Sequence, residues 1–153
     1  MLYTSFFNDA ANSMRTSSHL FSAFVRTAFV GAFNAAAGVD YNFSKSKNRT
    51  TDFLSTNQYI AGLLNANITI GEKFSSKAEY NYYKIENAGN YSFLDATFKY
   101  KLIKDKLTLY LKATNLLDET SFQTITLDSF SEYQRKDALN PRYVMIGAKI
   151  NIR

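Results

Sequence analysis

The stretch Pro141-Arg-Tyr-Val-Met-Ile-Gly-Ala-Lys-Ile-Asn-Ile-Arg153 sorts its side chains into two sets. Val144, Ile146, Ala148, Ile150 and Ile152 are apolar, Tyr143, Gly147, Lys149, Asn151 and Arg153 alternate with them, and Met145 is the one mismatch. A strand points successive side chains to opposite faces, so this segment reads as a β-strand with one apolar and one polar side. In a soluble sandwich the apolar side turns inward; in an outer-membrane barrel it meets lipid and the polar side lines the lumen. The rest of the chain has to separate these.

The 153 residues suit one domain and are too few to suggest two. Cysteine is absent and proline occurs once, which rules out a disulfide framework, a cysteine metal site and thiol chemistry. Thirteen Phe and eleven Tyr with no Trp favour strands and membrane interfaces over a helical bundle. Mean hydropathy is nonetheless slightly negative, as expected when every second strand residue is polar. The net charge of +5 raises the question of a nucleic-acid partner, but the basic residues are scattered singly and form no helical stripe, so none is expected. Met1-Leu-Tyr-Thr-Ser-Phe-Phe7 has no signal-peptide pattern, and Leu20–Val39, broken by Arg26 and Asn34, is no spanning helix; if the chain is exported, its signal is expected upstream of Met1 or already removed.

Period-two patterning recurs along the chain. Strands are expected over Leu2–Phe7, Thr16–Arg26, Phe33–Ser44, Asn57–Ile70, Phe74–Ile85, Phe93–Leu102 and Leu107–Thr114, with Tyr143–Ile152 last. A helix over Leu20–Ala37 competes locally, because alanine and leucine are frequent there. Ser44–Asp52 reads as a charged loop, Gly71-Glu-Lys73 and Lys104-Asp-Lys106 as tight turns, and Leu117–Asn140 as a long, acidic, irregular stretch. Short and long connections alternate, as in outer-membrane barrels with short periplasmic turns and long external loops. Several expected strands match or exceed the 9 to 11 residues or so of a tilted membrane strand. Tyr and Phe gather near strand ends, as an aromatic girdle does. The expectation is an all-β chain, residues 1–153 forming a single segment of about eight antiparallel transmembrane barrel strands. A soluble lipid-binding barrel is the alternative without a membrane.

Lys106-Leu-Thr-Leu-Tyr-Leu-Lys-Ala-Thr-Asn-Leu-Leu-Asp118, a long loop and Asn140-Pro-Arg-Tyr-Val-Met-Ile-Gly-Ala-Lys-Ile-Asn-Ile152 together resemble the C-terminal end of TonB-dependent outer-membrane receptors. In that family the penultimate strand runs into an Asn-Leu-(Leu/Phe)-(Asp/Asn) element, here within Thr114–Asp118, and Pro-Arg-aromatic often opens the closing strand, here Pro141-Arg-Tyr143. The resemblance implies a barrel of about 22 strands filled by an N-terminal plug, this chain being its closing third. It also implies a bacterial outer membrane of the Gram-negative type, uptake of a scarce metal chelate, oligosaccharide or peptide, and coupling to an energised inner-membrane complex through an upstream part. The lipid bilayer, the rest of the barrel and the plug would be partners, and a surface lipoprotein is a further candidate. The family usually closes on an aromatic residue, whereas this chain ends Ile152-Arg153, a departure that bears on recognition by barrel-assembly machinery. The second reading is a free-standing eight-stranded outer-membrane barrel with a structural or binding role.

No catalytic triad or carboxylate dyad is apparent, so no enzyme activity and no cofactor or metal are expected. His19, the single histidine, is assigned a structural role. Asp40, Lys77, Glu79, Asp95, Lys99, Lys101 and Lys112 are expected on the lumen face, mainly as wall salt bridges. Long external loops on rigid scaffolds carry recognition. Phe122, Phe130, Tyr133 and Arg135, in the Leu117–Asn140 stretch, are therefore the candidate ligand contacts.

Overall fold

The computed structural model describes residues 2–9, 14–27, 31–48, 54–104, 106–127 and 132–151. Among them there is no helix, and the regular elements are ten strands: β1 (Leu2–Asp9), β2 (Met14–Arg26), β3 (Phe33–Asn48), β4 (Leu54–Ile70), β5 (Phe74–Ile85), β6 (Gly89–Ile103), β7 (Leu107–Thr114), β8 (Ser121–Leu127), β9 (Glu132–Ala138) and β10 (Tyr143–Ile150). Eight form one antiparallel sheet in the order β1-β2-β3-β4-β5-β6-β7-β10, while β8 and β9 pair only with each other. The sheet is open, because β1 and β10 are its two edges and do not pair. Residues 10–13, 49–53, 86–88 and 115–142 connect strands at one end. Residues 27–32, 71–73 and 104–106 do so at the other.

The register carries the alternation seen in each strand coherently across the sheet. Leu64 stands opposite Ala37 and Tyr80, Leu94 opposite Tyr80, Leu111 opposite Phe98, and Ile146 opposite Leu111. On the other face Asn65 stands opposite Ala36 and Glu79, Asp95 opposite Glu79, Thr97 opposite Lys112, and Lys149 opposite Thr108. One face is thus an apolar band and the other is polar. Beyond the band, towards the 49–53 end, the same face turns polar at Lys45, Lys47, Thr56 and Gln58. From Ile60 to Ile70 the band runs about 33 Å along β4 at about 3.3 Å per residue, or about 25 Å in height at a barrel-like tilt.

Little of this apolar surface is covered. Ile85, Tyr91 and Ala113 are the buried apolar residues among those described, whereas Val144, Ile146 and Ile150 on β10 are 62 %, 81 % and 68 % exposed. A sheet normally buries its apolar face against a second layer. Among the described residues no second layer lies on that face; the added β8–β9 hairpin sits on the polar side.

Four expectations change. The helix alternative gives way to strands, β2 running to Arg26 and β3 starting at Phe33. The charged loop at Ser44–Asp52 is largely strand, since β3 continues to Asn48 and β4 begins at Leu54. The pleat continues there in polar residues: Ser46, Asn48 and Ser55 are buried while Lys45 and Lys47 are exposed. Hydroxyl pairs across the strands, Thr16 Oγ1 to Ser46 Oγ at 2.9 Å and Ser18 Oγ to Ser44 Oγ at 3.0 Å, replace apolar contacts. The expected alternation of loop lengths therefore reduces to one long insertion, 115–142. That insertion is in turn not irregular, because it contains the β8–β9 hairpin.

Candidate functional site

The insertion leaves β7 through a turn built on Asn115. Its φ of 53° lies in the left-handed region, which asparagine tolerates better than most residues, and Asp118 repeats this at 61°. Asn115 is buried and its amide ties the two ends of the insertion together. Nδ2 donates to the carbonyl oxygens of Glu119 at 2.8 Å and Asn140 at 2.9 Å, while Oδ1 accepts from the Glu119 N–H at 3.0 Å. Its own N–H donates to Asp95 Oδ1 at 2.8 Å. The Ser92 N–H donates to Glu119 Oε1 at 2.8 Å, and the Arg142 N–H donates to Asp118 Oδ1 at 3.1 Å, so β6 and the start of β10 are held by the same turn. A buried residue whose side-chain amide and backbone N–H together bond to three other segments clamps them.

From this clamp the hairpin lies over the polar face. Phe122 on β8 inserts edge-on among Tyr91 at 4.8 Å, Tyr83 at 5.5 Å and Phe93 at 6.0 Å between ring centroids. These rings come from β5 and β6, where the register sets Tyr83 opposite Tyr91. Phe122 borders two clefts. One, of about 500 Å³, is lined by Asn81, Asp95, Thr114, Asp137 and Tyr143 among others; the second, of about 440 Å³, by Asn42, Asn57, Tyr59 and Thr124. Each is lined by a residue whose buried oxygen has no hydrogen-bond partner among the described residues, Thr114 Oγ1 in the first and Asn57 Oδ1 in the second. Removing the Phe122 ring forfeits three edge-to-face contacts and part-buried area. Phe122→Ala is expected to weaken hairpin docking by about 2–3 kcal/mol and to speed protease cleavage within 121–138, with the sheet intact. Limited proteolysis followed by mass spectrometry reads this, and unchanged cleavage would show that the ring does not anchor the hairpin.

Of the four residues singled out from sequence, Phe122 occupies this packed position. Tyr133 is 63 % exposed, and Arg135, also exposed, donates from Nε to Asp137 Oδ1 at 2.9 Å. That hydrogen bond, followed by the carboxylate's charge, raises the Arg135 pKa above the ordinary guanidinium value. Phe130 lies outside the described residues. The hairpin register sets Phe122 opposite Asp137, Thr124 opposite Arg135 and Thr126 opposite Tyr133, which places Phe122, Tyr133 and Arg135 on one side of the ribbon. His19 stacks on Phe43 with centroids 6.3 Å apart. Sequence reasoning missed Asn115, Tyr83, Tyr91 and Phe93 as the parts that seat the hairpin. Thr114–Asp118 stands out in the sequence as a motif, but its hydrogen-bonding role lies in partners at 95, 119, 140 and 142.

The charged residues expected on one face do share the polar face. Lys77 pairs with Glu79 at 2.6 Å. Lys99, Lys101 and Lys112 have no carboxylate within salt-bridge distance among the described residues, so wall salt bridging accounts for only part of the set. No family model, curated protein or solved structure matches this chain.

Proposed function

We propose that this chain is a wall segment of a transmembrane β-barrel in a bacterial outer membrane, belonging to a TonB-dependent receptor that takes up a scarce nutrient, and that it has no enzymatic role. The carrying observation is the uncovered apolar band: a single antiparallel layer, polar on its other face, with a band about as tall as a bilayer's hydrocarbon core. Water would make so much exposed apolar surface an aggregation hazard. In lipid it is the stabilising face. The open edges at β1 and β10 favour membership in a wider barrel, because unpaired strand edges are not tolerated in a bilayer. A closed eight-stranded barrel would need those edges to pair.

In this reading the polar face lines the lumen and the β8–β9 hairpin sits at the external mouth, where Phe122, Tyr133, Arg135 and the two clefts would meet the nutrient. A plug would fill the barrel and an energised inner-membrane complex would act on it, both supplied by other parts of the receptor. The sequence resemblance across Thr114–Asp118 and Pro141–Tyr143 gains physical sense, since Asn115 and Asp118 bond to Asn140 and Arg142. The test is fractionation of cells that make the protein, with mass spectrometry for the peptide Tyr143–Lys149. Recovery from outer membranes in a polypeptide several times heavier than 17.4 kDa is expected. Recovery there near 17 kDa would replace the receptor with a small barrel, and recovery only from the soluble fraction would overturn both.

A further inference from the structure

The polar face is divided by charge. Towards the hairpin it carries Asp40 and Asp95, and Asp137 of the hairpin shares a cleft with Asp95, whereas towards the 71–73 and 104–106 end a groove of about 760 Å³ is lined by Lys77, Lys99, Lys101, Lys112 and Lys149 against one acid, Glu79. Four of these lysines lack a carboxylate partner among the described residues, the fifth being held by Glu79. The register explains how they gather: Lys112 stands opposite Thr97, Lys101 opposite Thr108, and Thr108 opposite Lys149, so three neighbouring strands deliver cations to one surface. A wall that needed only solubility would intersperse acids and bases. Here like charges are concentrated, which costs repulsion until an anion arrives.

The remaining lining is also donor-rich. Thr69, Ser75, Thr97, Thr108 and Tyr110 add hydroxyls. The Tyr110 ring lies over Gly147, where any Cβ would fall within it, so a glycine on β10 makes room for this aromatic floor. Ammonium groups offer three donors each and no acceptor, and hydroxyls rotate to donate. The volume is that of a small-molecule site.

We propose that this groove is a binding site for a multiply charged oxyanion, a solute bearing phosphate or carboxylate groups. Compact, strongly hydrated lysine ammonium groups suit spread oxyanion charge, and the groove has no row of stacking rings that would suit nucleic-acid bases. The proposal stands on the polar face alone and holds whether lipid or protein covers the apolar one.

The probes are tripolyphosphate and citrate, titrated calorimetrically into the full protein in detergent at ionic strength near 0.01 M and again near 0.15 M, where the screening length falls from about 30 to about 8 Å. Saturable one-to-one binding, weaker at the higher salt, is expected. Tripolyphosphate alone would assign phosphate, citrate alone carboxylate, and both would show that charge density governs. Lys99→Gln with Lys112→Gln should weaken binding about tenfold or more per lysine, the size of a charge-assisted hydrogen bond. Lys99→Arg with Lys112→Arg should keep it. So should Lys45→Gln with Lys84→Gln, an equal charge change on the opposite face. Should the glutamine pair fail to fold by circular dichroism, acetylation of the unmodified protein decides: tripolyphosphate should shield Lys99, Lys101, Lys112 and Lys149 and leave Lys45 and Lys84 reactive. Equal weakening in both glutamine pairs, uniform shielding, or no saturable binding at low salt would overturn the site. Binding of polyglutamate with neither small anion would overturn it in favour of a protein-docking face.

Discussion

Arginine at Ile146 is expected to cost about 2–4 kcal/mol of folding free energy in lipid vesicles, the penalty for a cation on the lipid face of a barrel near mid-depth. Ile146 is 81 % exposed, stands opposite Leu111, and lies midway along β10. In a protein whose exposed surface meets water, so open a position would accept arginine within about 0.5 kcal/mol. The sign of the experiment therefore depends on what covers the apolar band. Asn65→Arg is the control: it sits on the polar face, across from Glu79, and should change stability little. Denaturant titration of protein folded into vesicles gives both values. Equal tolerance of the two substitutions would show that lipid does not cover the band, and the outer-membrane reading would fall with it.

Asn115→Ala is expected to lose about 3 kcal/mol or more. Three side-chain hydrogen bonds of about 1 kcal/mol each disappear, and the part-buried Glu119 N–H loses its acceptor. Alanine also pays about 1 kcal/mol or more to hold a left-handed φ. Asn115→Gly separates the two terms, because glycine takes that backbone freely but cannot bond; it should be about 1 kcal/mol better than alanine. Asn115→Asp keeps an acceptor for Glu119 and loses both donors, so it should fall between glycine and asparagine. Unfolding titrations measure the total, and proteolysis between 119 and 140 reports release of the insertion. A loss below about 1 kcal/mol for alanine would mean that the turn is held by its backbone alone.

Most strands of the main sheet were legible because each alternates within itself. Val144, Ile146, Ala148 and Ile150 against Lys149 and Asn151 is a local pattern, and a pleat converts it directly into two faces. The pattern failed where both faces are polar, at Ser44–Asn48 and Leu54–Thr56, since hydropathy then carries no period although hydroxyl ladders keep the strands paired. It failed again at Glu132–Ala138, a charged segment with weak strand preference that becomes β9 only by pairing with the β-branched Thr124-Ile-Thr126 of β8. The candidate contacts were partly legible for a similar reason. Phe122 stood out as an aromatic residue in a long insertion, but whether it meets a ligand or the protein's own rings depends on residues about 30 to 40 positions upstream.

What the sequence determined by itself is the all-β class, the division into apolar and polar faces, and a long insertion before the last strand, because each follows from side chains at short, regular spacing. What only the tertiary structure decided is which residues those faces bring together: the Asn115 clamp across 25 residues to Asn140, the seating of Phe122 among Tyr83, Tyr91 and Phe93, and the lysine groove assembled from five strands. Register and the placement of a hairpin are long-range choices, set by cross-strand hydrogen bonds and ring packing that no local pattern records.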